Sequence, residues 1–173
     1  MRIFFTGAQG TGKSTLVKLV AERYNNFSVN DSMSRLFMND TESEQFTEDF
    51  QKKISLYCLN MYVNDRDFIC SRSYFDSIAY PSYFKDEQVV SMVRNYQKYM
   101  FEDDCLYFYL PVEFEITKGN NELRVVDKEY QTSIDNSIRD EIARVDSDKV
   151  FEITGSIEER FNKICKIIDE RCQ

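Results

Sequence analysis

The sequence predicts a single α/β domain with a mostly parallel five-stranded sheet and helices on both faces, and three observations carry that expectation. A β-rich run at residues 2–6 leads directly into a glycine-rich stretch at 7–12. Short β-prone runs then alternate with longer segments of helical periodicity along the rest of the chain. Strands separated in this way pair in parallel through right-handed crossovers, and the crossover helices cover the sheet.

The elements follow in order. After the first strand, Leu16, Leu19 and Val20 recur at helical spacing over residues 14–23. A second short strand fits 27–30 and leaves Asp31 at its C-terminal end, with a helix-prone stretch running on through Arg35 and Phe37. Over 44–64, Phe46, Phe50, Ile54, Cys58 and Met61 recur every three or four positions, which predicts a long amphipathic helix lying on one sheet face. Residues 67–73 hold a buried strand around Phe68-Ile69-Cys70, and 74–84 read as an aromatic helix or turn that Pro81 should break or kink. Val89, Val90, Val93 and Tyr96 mark a helix over 86–100, and 105–110 is a fourth strand stopped by Pro111. Residues 112–127 lack periodicity and contain the turn signal Gly119-Asn120-Asn121, so a mobile lid is expected there. A helix over 130–143, a fifth strand over 149–153 and a last helix through Ile157, Phe161, Ile164 and Ile168 complete the pattern. With 173 residues and no internal repeat, residues 1–173 read as one domain.

Composition narrows the chemistry. A chain 42% apolar and 30% charged, with five glycines and two prolines, is that of a folded globular protein. The net charge of -8 disfavours nucleic acid and anionic lipid as partners, because the surface field repels phosphate; any phosphate site must be local. Five cysteines without a CxxC pair suit buried thiols in a reducing compartment and argue against a zinc site. No apolar stretch reaches membrane-span length and the first strand runs too soon into the glycines for a signal peptide, so a cytoplasmic protein is expected. With no histidine in the chain, a general base must be a carboxylate or another group.

The stretch Gly7-Ala8-Gln9-Gly10-Thr11-Gly12-Lys13-Ser14-Thr15 satisfies GxxxxGK[ST] between a predicted strand and a predicted helix. Its glycines let backbone N–H groups turn inward on a phosphate without an obstructing β-carbon. The helix that begins near Lys13 adds its N-terminal partial charge, the Lys13 ammonium reaches the β- and γ-phosphates, and Ser14 is the expected Mg2+ ligand. ATP with Mg2+ is therefore the expected cofactor pair, and the fold class sharpens to a P-loop NTPase domain. Switch GTPases are excluded by the lack of a DxxG after the third strand and of an NKxD. Motor ATPases are disfavoured because Ile69-Cys70-Ser71-Arg72-Ser73 does not end in an acid.

Beyond the loop, Ser71-Arg72-Ser73 with Asp76, Ala79 and Tyr80, and Arg124-Val125-Val126-Asp127, make the chain resemble the small P-loop nucleoside and nucleotide kinases. These include deoxynucleoside monophosphate kinases and nicotinamide riboside kinase-like domains. The resemblance covers most of the chain and implies that Arg124 is a lid arginine over the γ-phosphate, that Asp31 is an acid near the acceptor, and that Thr154-Gly155-Ser156 borders adenine. Ser71 departs from it, standing where the family usually has an acid that helps hold the Mg2+ shell; Asp31 or Asp76 could supply that carboxylate.

Phosphoryl transfer needs positive charge around the transferred oxygens, so Arg72 is expected to face the acceptor and Arg35 to grip an acceptor phosphate, with Asp31 and Asp76 beside them. The alternative reading of each arginine is a solvated surface charge or a structural ion pair, and the positions of Arg72 and Arg124 after a strand and in the lid favour function. Asp31, Asp76 and Ser156 could equally be helix caps, and Tyr74, Phe75, Tyr80, Tyr83 and Phe84 core residues rather than a base-stacking set. The expected activity is ATP-dependent phosphoryl transfer to a nucleoside monophosphate, with a deoxynucleotide preferred and the catalytic set Lys13, Asp31, Arg72 and Arg124. A nucleoside kinase and a nucleotide-gated regulator are the alternatives. The expected partner is a small nucleotide or nucleoside, and a homodimer stays open.

Overall fold

Along the first strand, Ile3 and Phe5 point to one side and Phe4 to the other, and this alternation sorts the apolar residues into two layers. The computed structural model describes residues 1–31, 47–64, 67–102, 104–114 and 127–171. Its strands are β1 (Arg2–Thr6), β2 (Ser28–Asn30), β3 (Phe68–Cys70), β4 (Cys105–Tyr109) and β5 (Val150–Glu152). Its helices are α1 (Lys13–Arg23), α2 (Glu48–Asn64), α3 (Tyr74–Tyr83), α4 (Glu87–Asn95), α5 (Gln97–Glu102), α6 (Lys128–Val145) and α7 (Ile157–Arg171).

The sheet order is β2-β3-β1-β4-β5 and every pairing among the described strands is parallel. Ile3, Phe5, Ile69, Leu106 and Phe108 pack with Leu16, Val17 and Val20 of α1 and Ile164 and Ile168 of α7. Phe4, Phe68, Tyr107 and Tyr109 face α2, α3, α4 and α6. Phe4 is the hub of this second layer, stacked on Tyr107 at 4.7 Å and met edge-on by Tyr62 at 5.0 Å and Phe68 at 5.4 Å.

From β1 the chain passes to β2 on one side of the sheet, and from β4 it passes to β5 on the other. The carboxyl ends of β1 and β4 therefore flank a topological switch point, where an open α/β sheet leaves a crevice for a ligand.

Two local expectations need correcting. The helix expected over 86–100 is two helices, because Tyr96 leaves helical backbone and its N–H turns back to Val93 O at 3.1 Å before α5 begins. Pro81 does not break its segment in the middle. It lies in the last turn of α3, where its missing N–H costs one bond, and Phe84 N and Asp86 N both donate to its carbonyl as the helix ends. The lid expected over 112–127 falls largely on residues 115–126, outside the described residues.

Because Phe4 is fully buried and has three ring partners, Phe4→Ala should lower stability by about 3–5 kcal/mol. Urea denaturation of wild type and variant at matched pH measures that loss.

Candidate phosphate-loop and acceptor site

Where β1 ends, Leu110 N donates to Thr6 O at 2.9 Å, and this extra ladder bond brings the loop hard against the exit of β4. Gly7 has φ +148°, and a β-carbon there would stand 2.5 Å from Leu110 O and 2.9 Å from Thr11 Oγ1. Only glycine fits. Gly10 and Gly12 also take positive φ, at +85° and +91°, and Gly12 caps α1.

Lys13 folds back over the loop it follows, its Nζ donating to Ala8 O at 2.8 Å and to Gly7 O at 2.5 Å. Thr11 Oγ1 donates to Ala8 O at 3.0 Å, and Gln131 Nε2 of α6 donates to Gln9 O at 2.7 Å. The loop is thus fastened from inside and from α6, while Ser14 and Thr15 stay exposed at the first turn of α1. The arrangement suits a phosphate: positive-φ glycines curl the backbone just before a helix N-terminus, and a lysine ammonium lies against the same loop. Ser14, exposed at the start of α1, is the residue of the loop that could hold a divalent cation.

Beyond β3, Arg72 packs its guanidinium 4.3 Å over the Tyr80 ring and donates through Nη1 to Gln51 Oε1 at 3.3 Å. Tyr80 OH in turn donates to Gln9 Oε1 at 3.3 Å, so one ring separates Arg72 from the phosphate loop. Among the described residues no carboxylate lies within ion-pair distance of Arg72. Burial alone would weaken its charge, but Tyr80 and Asp76 more than offset this and hold it protonated. The buried Tyr80 hydroxyl is pushed well above its ordinary 10, first by burial, so it stays neutral.

Asp76 caps α3 with one carboxylate oxygen only. Its Oδ2 accepts from Ser73 N at 3.0 Å and Ser73 Oγ at 2.9 Å, which builds the N-terminus of α3, while its buried Oδ1 has no hydrogen-bond partner among the described residues. Asp31 follows β2 immediately, and its Oδ1 is likewise buried without a hydrogen-bond partner among the described residues. Ser71 is buried beside them, its N–H donating to Asn30 O at 3.2 Å. Tyr74 and Phe75 belong to the aromatic core with Phe101, not to a ligand surface. Arg35 and Arg124 lie outside the described residues.

Ser156 is a helix cap, exchanging bonds with Glu159: Ser156 N donates to Glu159 Oε2 at 2.8 Å and Glu159 N to Ser156 Oγ at 3.3 Å. Four side chains at the site escaped the sequence reading: Gln51, Gln131, Glu113 and Arg160. Arg160 follows Glu158-Glu159 and looks like one charge on a solvated helix face, yet it is fully buried and bonded to Thr11 O and Gly155 O. A hollow of about 630 Å³ lined by Gln97, Lys98 and Lys149 lies at the amino end of β5, away from the crevice.

A family model described as an AAA domain matches residues 2–160. No curated protein matches the sequence. Among solved structures, a deoxyadenosine kinase from M. mycoides, with dCMP and dCDP bound, is 13% identical with a TM-score of 0.66, over 98% of this chain and 99% of that one. A thymidylate kinase from Ehrlichia chaffeensis is 16% identical with a TM-score of 0.59, over 97% and 98%. The NadR protein in complex with NR is 16% identical with a TM-score of 0.65, and this chain, at 98% coverage, spans 50% of its length. All three share the fold.

Partial burial opposes ionisation of Glu113, but hydrogen bonds from Arg160 and Gly155 N hold its carboxyl below the ordinary 4.5; bonds from Ser156 do the same for Glu159. Their contribution to stability is present above pH 4.5 and is lost as pH falls through the depressed folded values. Denaturation midpoints measured stepwise into acid should show that loss, and Glu113→Gln should flatten part of it.

Proposed function

The chain belongs to the AAA-domain family, and from that premise we propose that it is an ATP-dependent kinase that transfers the γ-phosphoryl group to a nucleoside monophosphate. The observation that carries this reading is Arg72. It is a half-buried guanidinium without an ion-pair partner among the described residues, one aromatic ring away from the phosphate loop. A cation desolvated in this way gains most from an anion, and an acceptor phosphate or a transferring phosphoryl group is the anion that a kinase brings there.

In this reading the loop 7–15 holds the phosphates of ATP, and Lys13 trades its two carbonyl contacts for phosphate oxygens. Ser14 would hold Mg2+ together with the phosphates, and the ion would supply neutralisation of the charge that develops there. Arg72 steadies the oxygens that gain charge, and Tyr80 keeps it in place. Asp31 or Asp76, each with a buried oxygen that has no partner among the described residues, supplies the acid missing at Ser71, and Asp31 is preferred on the acceptor side. Arg124 and Arg35 complete the set as γ-phosphate and acceptor-phosphate ligands. The deoxynucleotide preference rests on the family resemblance and on the deoxynucleotide-bound neighbour.

A nucleoside kinase is the second reading, favoured by the unpartnered Asp31 oxygen, since a hydroxyl acceptor must lose a proton to a carboxylate. No described helix is long and apolar enough to cross a membrane. The four described cysteines are free and buried, which supports placing the protein in the reducing cytoplasm.

The decisive experiment follows product formation from ATP and Mg2+ with a panel of nucleosides and nucleoside monophosphates, beside acceptor-free hydrolysis. Transfer to monophosphates is expected. Lys13→Ala should abolish it in a folded protein, and Arg72→Gln should lower kcat by about a hundredfold or more. Turnover confined to nucleosides, and lost in Asp31→Asn, would select the second reading; hydrolysis indifferent to every acceptor would point to a regulator.

A further inference from the structure

Arg160 is fully buried, and its guanidinium serves three separate segments. Nε donates to Gly155 O at 2.8 Å, Nη1 donates to Thr11 O at 2.8 Å, and Nη2 meets the Glu113 carboxylate just beyond β4. The Phe114 ring lies 4.8 Å over the same group. Glu113 is tied in turn to Gly155 by an N–H bond of 3.0 Å. Burying a guanidinium is costly unless its N–H groups are met, and here they are met by the backbone of the phosphate loop and of the loop after β5. An apolar side chain could fill that space without the desolvation cost, but it could not hold those carbonyls.

The contact with Thr11 O has a directional consequence. No peptide among the described residues is cis, and in a trans unit the C=O and N–H point in opposite directions. Arg160 draws Thr11 O toward α7, which turns the Gly12 N–H away from α7. That N–H has no acceptor among the described residues, and it stands at the capping position of α1, where an anion is favoured. A charged donor on the carbonyl also polarises the peptide unit and strengthens its N–H as a donor. The packing behind Gly12 is tight as well, since a β-carbon there would sit 3.2 Å from Ile157 Cδ1.

We infer that Arg160 is a positioning residue of the phosphate loop, which aims and polarises the Gly12 N–H at a nucleotide phosphate and locks that peptide to the loop after β5. The inference rests on the proposed triphosphate site. It assigns the role to a residue that never touches the ligand.

The test compares binding of inorganic tripolyphosphate, ATP and adenosine, each with Mg2+, to wild type and Arg160→Lys by titration calorimetry. Lysine keeps the charge but cannot bridge Thr11 O, Gly155 O and Glu113 together. The expected result is about a tenfold loss for tripolyphosphate and for ATP alike, the size of one charge-assisted hydrogen bond, with the KM for the acceptor unchanged. Unchanged tripolyphosphate affinity in a folded Arg160→Lys protein, or a loss seen with ATP and adenosine only, would overturn the inference. Wild type that binds neither tripolyphosphate nor ATP would instead remove the nucleotide reading beneath it. Because substitution at a buried site can unfold the chain, a second measurement uses wild type alone. With five glycines, a glycine-labelled amide spectrum is simple, and the Gly12 amide should move downfield on adding tripolyphosphate. A Gly12 amide that does not respond, while the ligand binds, also sinks the proposal.

Discussion

The contact between Gly7 and the carbonyl of Leu110 is the constraint on which the rest of the site depends. β1 and β4 run in register from Arg2 opposite Cys105 to Thr6 opposite Tyr109, and one more bond, from Leu110 N to Thr6 O, carries the pairing past the end of the strand. The chain must then turn within the width of a glycine. That turn fixes where Ala8 and Gln9 present their carbonyls, where Lys13 folds back, and where α1 begins. A looser exit would leave the loop backbone free to wander, and a phosphate cradle works only if its donors are aimed before the ligand arrives.

Around that turn the protein arranges charge by exclusion. Lys13 and Arg72 carry the positive charge of the crevice, and among the described residues Arg72 is joined to no carboxylate in an ion pair. Elsewhere the arginines of the described helices do find acids, as Arg94 does with Glu141 and Arg139 with Asp135. The chain as a whole is acidic by eight charges, so the crevice is a local exception in a field that repels phosphate. Asp31 and Asp76 each add a single buried oxygen that has no hydrogen-bond partner among the described residues.

Much of this was legible in the residues. The glycine spacing and its place between strand and helix announced the loop, because the backbone conformation it needs excludes side chains at Gly7. The parallel order of strands followed from the alternation of short apolar runs with helical ones. Boundaries were legible to within a few residues, and the errors had local causes. Tyr96 leaves helical backbone in a segment whose valines keep the helical period, and Pro81 falls where a helix is ending and its missing N–H costs little. Asp76 could be read as a cap or as an acceptor ligand; the structure shows the cap with one oxygen and leaves the other without a hydrogen-bond partner among the described residues.

The sequence by itself determined the fold class and the glycine loop between β1 and α1, and it singled out Arg72 as a candidate, because each depends on short-range pattern: period, glycine spacing, and position after a strand. Tertiary structure alone decided what stands behind the loop. Gln131 and Arg160 lie 122 and 149 positions from the loop residues that they hold, and Gln51 lies 21 from Arg72. Nothing local marks them, since a glutamine or arginine on an amphipathic helix is ordinarily a solvated residue, and only the packing of α2, α6 and α7 against one crevice turns these three inward.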